Sequence, residues 1–331
     1  MQKIADTYPL VSFILLTYNQ EKYIRAALEG LLAQDYSNLE YIISDDCSRD
    51  MTCSIIQETV DQKFAERKVV FNRNENNLGL TGNLNKAISL ANGEYYILAA
   101  GDDISLSNRV SISIKKIAEL GVDSLALNFQ YINAEGQKLN QKGFDGEEAE
   151  LKYSLGDYLC RKPLFPSGPS RIISKRVFDI FGMLREDCPT EDTTLTFRSL
   201  LLNGVAMVNQ IGVLYRWHGQ NMSTHEALME RINPVDIYRQ YNADLMAAYK
   251  KNIVTPFNYL KIKRILWDYK HVQAFERRLY KAHGMIKKHF IGVGLLLNPF
   301  VLCSHKSRKW LMRICPELFM VRNKIQYMLN R

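Results

Sequence analysis

Residues 11–52 read VSFILLTYNQEKYIRAALEGLLAQDYSNLEYIISDDCSRDMT. Residues 10–17 (LVSFILLT) are a short unbroken apolar run, the signal of a strand buried on both faces. Ile24, Leu28, Leu31 and Leu32 then recur at helical spacing, with Asn19 placed to cap that helix. Residues 39–44 (LEYIIS) repeat the strand signal and run into Asp45-Asp46. The alternation continues with a helix carrying Ile55, Ile56, Thr59 and Val60, a strand at 69–72, and a helix at 80–91 that stops at Asn92-Gly93. A strand at 95–99 follows and leads into Gly101-Asp102-Asp103. Strand–helix alternation of this kind predicts βαβ units and an α/β fold with a mostly parallel sheet. In such sheets ligands bind at the carboxyl ends of strands, and both acidic pairs stand there.

Further along, the spacing predicts a helix at 107–120, a strand at 124–132, a polar loop at 134–150 and a helix around 193–202. From about residue 232 the periodicity is mainly helical, with basic and aromatic residues. The 331 residues carry a net charge of +8, unevenly spread. Residues 250–331 hold 18 Lys and Arg against 3 Asp and Glu, whereas residues 1–249 hold 25 against 32. Such asymmetry points to an anionic partner for the basic end. The six cysteines are scattered without metal-type spacing and read as reduced thiols. No signal peptide precedes the first strand, and the longest apolar run, 291–303, is too short to span a bilayer. These features predict a cytoplasmic protein.

Four motifs carry candidate chemistry. Asp45-Asp46 suits a base N–H or a ribose hydroxyl, and equally the cap of the next helix. Asp102-Asp103 brings together two carboxylates that repel unless a cation or hydroxyl compensates; a solvated turn reads the same way. Glu191-Asp192 opens a predicted helix, where acids favour the dipole, and is also placed for a general base. Tyr215-Arg216-Trp217-His218, followed by Asn221 and Ser223, offers groups for phosphate or metal, or an exposed basic turn. The position after the first strand, LTYNQEKYI (16–24), has no glycine, which argues against a nucleotidyltransferase and a dinucleotide-binding enzyme.

Residues 11–52, and 74–105 (NENNLGLTGNLNKAISLANGEYYILAAGDDIS), together with the TED string at 190–192 and YRWHGQNMS at 215–223, closely resemble glycosyltransferase family 2. The resemblance covers about residues 9–225. It implies the GT-A fold, a Rossmann-like mixed sheet flanked by helices, here with a helical, basic carboxyl-terminal extension. The catalytic domain would be 1–232, with a nucleotide-sugar half at about 8–110 and an acceptor half at 111–232; the extension would be 233–331.

By that resemblance Leu16, Tyr18 and Asp46 would line the nucleobase, supported by Thr17 and Asn19, with Asp45 holding the strand end and Asn85 as the family's helix asparagine. Asp102 would meet ribose or metal. Asp103 would be the main ligand of a divalent ion, Mn²⁺ or Mg²⁺, with His218 nearby and Arg216 near the diphosphate. Asp192 would be the catalytic base and Glu191 would position acceptor or base. The implied reaction is an inverting transfer of one sugar from a nucleotide-diphosphate sugar to a saccharide acceptor, lipid-linked in bacterial surface-polysaccharide (O-antigen or capsule) synthesis. A non-catalytic nucleotide-sugar binder remains the alternative.

Three positions depart from the family pattern: Gly101 where an acid is usual, Leu84 where Arg often precedes the asparagine, and Val213 in place of a processive enzyme's Gln. The last predicts single-sugar transfer. The basic stretch from 250, with the apolar segments 291–297 and 299–303, reads either as a peripheral seat on an anionic membrane surface or as a helical appendage packed on the catalytic domain. No nucleic-acid reader motif is present. Residues 166–171 (PSGPSR) are an expected acceptor-side loop.

Overall fold

The structure, a computed structural model, describes residues 8–161, 168–219, 221 and 233–281. The first part of the chain runs β1 (Val11–Thr17), α1 (Ile24–Leu32), β2 (Leu39–Asp45), α2 (Thr52–Lys63), β3 (Lys68–Arg73), α3 (Gly79–Leu90) and β4 (Tyr95–Ala100). Next come β5 (Ile104–Ser105), α4 (Arg109–Leu120), β6 (Ser124–Ile132), β7 (Lys138–Lys142), β8 (Glu150–Tyr153) and α5 (Leu155–Leu159). After them follow β9 (Arg171–Ser174), α6 (Arg176–Phe181), α7 (Glu191–Leu201), β10 (Val205–Arg216), α8 (Pro234–Lys250) and α9 (Pro256–Lys281).

All ten strands form one sheet in the order β3-β2-β1-β4-β9-β6-β10-β5, with β7 beside β6 and β8 beside β10. The β3, β2, β1 and β4 strands are mutually parallel. Antiparallel β9 joins them to β6, which runs parallel to β10. The unbroken apolar runs follow from burial on both faces. On one face Phe13, Leu15, Tyr41, Ile43 and Ile97 pack with Ile24, Leu28 and Leu31 of α1, Ile56 of α2 and Ile117 of α4. The intervening Ile14, Ile42, Tyr96 and Leu98 point the other way, onto Leu84 and Ile88 of α3, Val177 and Phe178 of α6 and Leu195 of α7. Gly93, just before β4, lets the chain cross β1 closely: a Cβ there would lie 2.5 Å from the Ser12 amide nitrogen.

A third core joins α7 to the carboxyl-terminal helices, with Phe197 and Leu201 against Ile237, Tyr241, Leu245, Val254, Ile262 and Leu266. The buried Arg198–Asp244 ion pair (2.9 Å) lies in the same contact. Among the described residues no helix is long and apolar enough to cross a membrane.

Two local expectations are corrected. The 134–150 segment is not all loop: β7 pairs antiparallel with β6, and β8 begins at Glu150. All five residues of β7 are exposed, so this edge strand lacks the alternating apolar signal that marks a strand in sequence. Asn19 does not cap α1; Tyr23 occupies that position. Asn19 has a positive φ of 53° and its side chain accepts from the Arg49 amide, fastening the β1 loop to the loop after β2. Pro166 and Ser167 of the expected acceptor loop, Ser223, Lys287, Lys288 and the apolar segments 291–297 and 299–303 lie outside the described residues.

Candidate active site at the carboxyl ends of the strands

β4 ends at Ala100 and turns through Gly101-Asp102-Asp103 into β5. β5 pairs antiparallel with Val213 and Leu214 of β10, which brings the end of β10 against the turn. The Arg216 amide therefore donates to Asp103 Oδ1 at 2.9 Å, and its Nε donates to the Asp102 carbonyl at 2.9 Å. The same guanidinium donates to the carbonyls of Asn133 and Ala134, and lies 4.8 Å from the Tyr23 ring centroid. His218 Nε2 sits 3.1 Å from Asp102 Oδ2, and its ring stacks on Tyr23 at 5.1 Å. Asn221 fixes this turn, accepting from the His218 amide and donating to the Arg216 carbonyl.

Asp103 is buried. Burial pushes its carboxyl well above the usual carboxylate range and Asp102 adds to this, while the Arg216 amide, Arg109 and Arg216 pull the other way. Two acids this close leave a local excess of negative charge, which a divalent cation would relieve. Asp102 Oδ1 and Asp103 Oδ2 have no hydrogen-bond partner among the described residues, so each keeps an oxygen for a cation. Among the described residues no group of three His, Cys, Asp or Glu could hold a metal alone. The donor set thus fits a hard ion whose shell is completed by substrate phosphates, as Mg²⁺ and Mn²⁺ sites often are.

Gly101, where the family pattern has an acid, has a physical cause. A Cβ there would meet Gln20 Oε1 at 2.4 Å, Thr17 Cγ2 at 3.0 Å and Ile24 Cδ1 at 3.1 Å. Gln20 occupies the space that the missing side chain would need.

The second acidic pair closes the neighbouring strand end. Asp45 is fully buried, its carboxylate accepting from Thr17 Oγ1 (3.0 Å), Ser48 Oγ (2.5 Å) and the Ser48 amide (2.9 Å). Asp45, grouped with the nucleotide contacts from sequence, is thereby a shaping residue of the loop, as is Thr17. Asp46 Oδ1 accepts from Asn74 Nδ2 (2.9 Å) and the Leu78 amide (2.8 Å), and its other oxygen has no partner among the described residues. At the end of β1 beside this pair, Leu16 is half-buried and Tyr18 is exposed.

Asp192 stands in the first turn of α7 with Glu191. Its Oδ1 accepts from the Thr193 amide, while Oδ2 faces Gly168. A buried cation joins this region to the strands that flank the Asp102-Asp103 turn. Arg109, at the start of α4, donates to the Leu98 carbonyl on β4 (2.6 Å), to Ser105 Oγ (2.9 Å) and to the Pro169 carbonyl (3.1 Å), next to Gly168. Burial lowers Arg109 to about 9, with Asp103 opposing the shift. Arg171 lies behind the α7 start, donating to Thr196 Oγ1, which in turn donates to the Asp192 carbonyl. Burial lowers Arg171 as well, against the pull of Asp192 and Glu191.

Two residues grouped with the nucleotide-sugar contacts from sequence are engaged within the protein. Arg216 is buried and its fork grips three backbone carbonyls, so it holds the acidic turn. Asn85 engages one residue with both ends of its amide: Nδ2 donates to the Leu184 carbonyl and Oδ1 accepts from the Leu184 amide. It is a clamp between α3 and the segment after α6. Arg109, Tyr23, Gln20 and Asn74 were not singled out from sequence. Six asparagines crowd residues 72–85, and that excess was the available signal for Asn74.

Residues 12–181, just over half of the chain, match the model of Glycosyl transferase family 2. The glycosyltransferase GlyG of Streptococcus pneumoniae is 24% identical over 81% of this chain and 90% of its own length. An Escherichia coli relative, UDP-Glc:alpha-D-GlcNAc-diphosphoundecaprenol beta-1,3-glucosyltransferase WfgD, is 30% identical over 39% of this chain and about half (48%) of its own length. S. aureus TarS in complex with UDP-GlcNAc superposes with a TM-score of 0.55 at 20% identity, covering 82% of this chain and 80% of that one. The Pyrobaculum calidifontis mannosyltransferase PcManGT, in complex with GDP-Man and Mn²⁺, gives a TM-score of 0.50 at 14% identity over 98% of this chain and 89% of that one. The fold is that of GT-A glycosyltransferases. The chain is a glycosyltransferase and belongs to glycosyl transferase family 2.

Proposed function

We propose that the protein transfers one sugar from a nucleotide-diphosphate sugar to a hydroxyl of a saccharide acceptor with inversion at the anomeric carbon. The observation that carries this reading is the buried Arg109 bridge, which ties Leu98 and Ser105, on either side of the Asp102-Asp103 turn, to Pro169 in the segment beside Asp192. Asp46, with Leu16 and Tyr18, faces the nucleobase. Asp103 and Asp102, with His218 beside Asp102, would hold a divalent ion, Mg²⁺ or Mn²⁺, together with the donor phosphates, and the ion would supply Lewis-acid neutralisation of the leaving diphosphate. Asp192 Oδ2 accepts the proton of the acceptor hydroxyl. The new bond forms between that oxygen and the anomeric carbon as the bond to the diphosphate breaks on the opposite face. Glu191 positions the acceptor or the base. Base catalysis of this kind contributes about 10²–10⁴-fold.

WfgD is named for a diphosphoundecaprenol-linked acceptor, and that supports a lipid-linked acceptor here, in bacterial surface-polysaccharide synthesis at the cytoplasmic face of the membrane. The test is a thermal-shift panel of UDP-, dTDP- and GDP-linked sugars with and without Mn²⁺. A ligand present at a hundredfold over its Kd stabilises by about 2.7 kcal/mol. One nucleotide should give a metal-dependent shift that Asp103→Asn loses and Asp192→Asn keeps. A folded wild type that no nucleotide-sugar stabilises would sink the proposal.

A further inference from the structure

The buried side of α9 is accounted for by Ile262 and Leu266 in the third core. Its outer side is unusual. Phe257, Leu260 and Trp267 are 67%, 66% and 39% exposed. With Lys261 and Arg264 they recur at three- and four-residue spacing, which sets all five on one face of the helix. Between Asp244 and Asp268 the chain has five Lys and Arg (Lys250, Lys251, Lys261, Lys263 and Arg264) and no Asp or Glu. All five are exposed. Lys261 Nζ lies 4.5 Å from the centroid of the Phe257 ring, so cation and aromatic ring share one patch. The first acid beyond the stripe, Asp268, is buried against Arg161, and among the described residues none of the five cations has an ion-pair partner.

We propose that this stripe seats the protein on an anionic phospholipid surface. Phe257, Leu260 and Trp267 enter the headgroup–acyl boundary, and Lys261, Lys263 and Arg264 pair with lipid phosphates. Charge complementarity selects an anionic surface, and two apolar side chains exposed by two thirds select one with an acyl layer beneath its phosphates. The seat and the catalytic region belong to one packed unit. Ile262 and Leu266 of α9 share a core with Phe197 and Leu201 of α7, the helix that opens on Glu191 and Asp192. Docking α9 therefore fixes the position of Asp192 relative to the bilayer. The use of the seat rests on the lipid-linked-acceptor reading; the binding itself does not.

The experiment is co-sedimentation of the full chain with vesicles of phosphatidylcholine alone or mixed equally with phosphatidylglycerol, at low salt. Wild type should bind the mixed vesicles and leave the neutral ones. Lys261→Glu/Lys263→Glu/Arg264→Glu should weaken binding on the order of 100-fold, at roughly fivefold for each cation removed. Phe257→Ser/Leu260→Ser/Trp267→Ser should also release the protein, and both variants should keep the nucleotide-sugar thermal shift of the wild type. Failure of the wild type to bind anionic vesicles overturns the proposal, as does full binding by both variants. Displacement by a short DNA duplex as effective as displacement by excess lipid, with the serine variant unaffected, overturns it in favour of a nucleic acid. Loss of every nucleotide-sugar shift with vesicle binding intact would instead strike the transferase reading alone.

Discussion

Replacing Arg216 by lysine keeps a positive charge beside the acidic turn and removes the guanidinium fork. That fork donates to the carbonyls of Asp102 (2.9 Å), Asn133 (3.2 Å) and Ala134 (2.8 Å) and lies on the Tyr23 ring. An ammonium is a single point donor group and reaches one of these carbonyls, so about two charge-assisted bonds are lost. At roughly 1.5–3 kcal/mol for each, less what relaxation and water recover, the variant should lose about 2–4 kcal/mol of stability. At about 2 °C per kcal/mol for a chain of this size, Tm should fall by roughly 4–8 °C. The Arg216 amide bond to Asp103 is unchanged by the substitution. The assay is thermal unfolding of the ligand-free protein, then of the protein with its nucleotide-sugar. The ligand-free Tm should drop while most of the ligand-induced increment survives. An unchanged ligand-free Tm with the increment abolished would refute the argument, because the guanidinium would then be serving the diphosphate.

Gly101→Ala should cost about 1–2 kcal/mol by urea unfolding, because its Cβ collides with Gln20 Oε1. Gln20→Ala should relieve much of that cost, and simple additivity in the double variant would rule out the collision. Asn74→Ala removes the side-chain donor that aims Asp46, so KM for the donor sugar should rise about 5–10-fold with kcat within about twofold; a fall in kcat at constant KM would place Asn74 elsewhere in the reaction. Burial by itself raises the Glu40 carboxyl, but hydrogen bonds from Ser12, Asn92 and Gly93 outweigh it and hold the group below its ordinary 4.5. A depressed folded-state pKa adds stability above the unfolded value, which is lost as pH falls through the folded value. Glu40→Gln should therefore be less stable than wild type at neutral pH, with the gap closing on acidification in pH-resolved urea titrations; a gap independent of pH would contradict the assignment.

How much of this was visible in the residues alone depended on what each signal measures. The parallel part of the sheet was readable because β1, β2 and β4 are buried on both faces and so appear as unbroken apolar runs. The strand-end acids Asp45, Asp46, Asp102 and Asp103 followed from those strands, since a βαβ sheet presents its loops on one edge. β7 was not readable, because an exposed edge strand such as KLNQK carries no alternating apolar signal. Which acid of a pair is closed off within the protein and which keeps an oxygen open also escaped the sequence. Asp45 and Asp46 are adjacent and chemically identical, yet one is closed off by Thr17 and Ser48 while the other keeps an oxygen open. The carbonyl partners of Arg216 were not readable, because charge is a property of the residue whereas those partners are set by the pairing of β5 with β10. Arg109 was silent for the same reason. Local composition therefore determined the strands, the acidic ends and the basic tail. Only tertiary structure decided which side chains are engaged and which stay free, because hydrogen-bond partners far apart in sequence are chosen by how the strands pack.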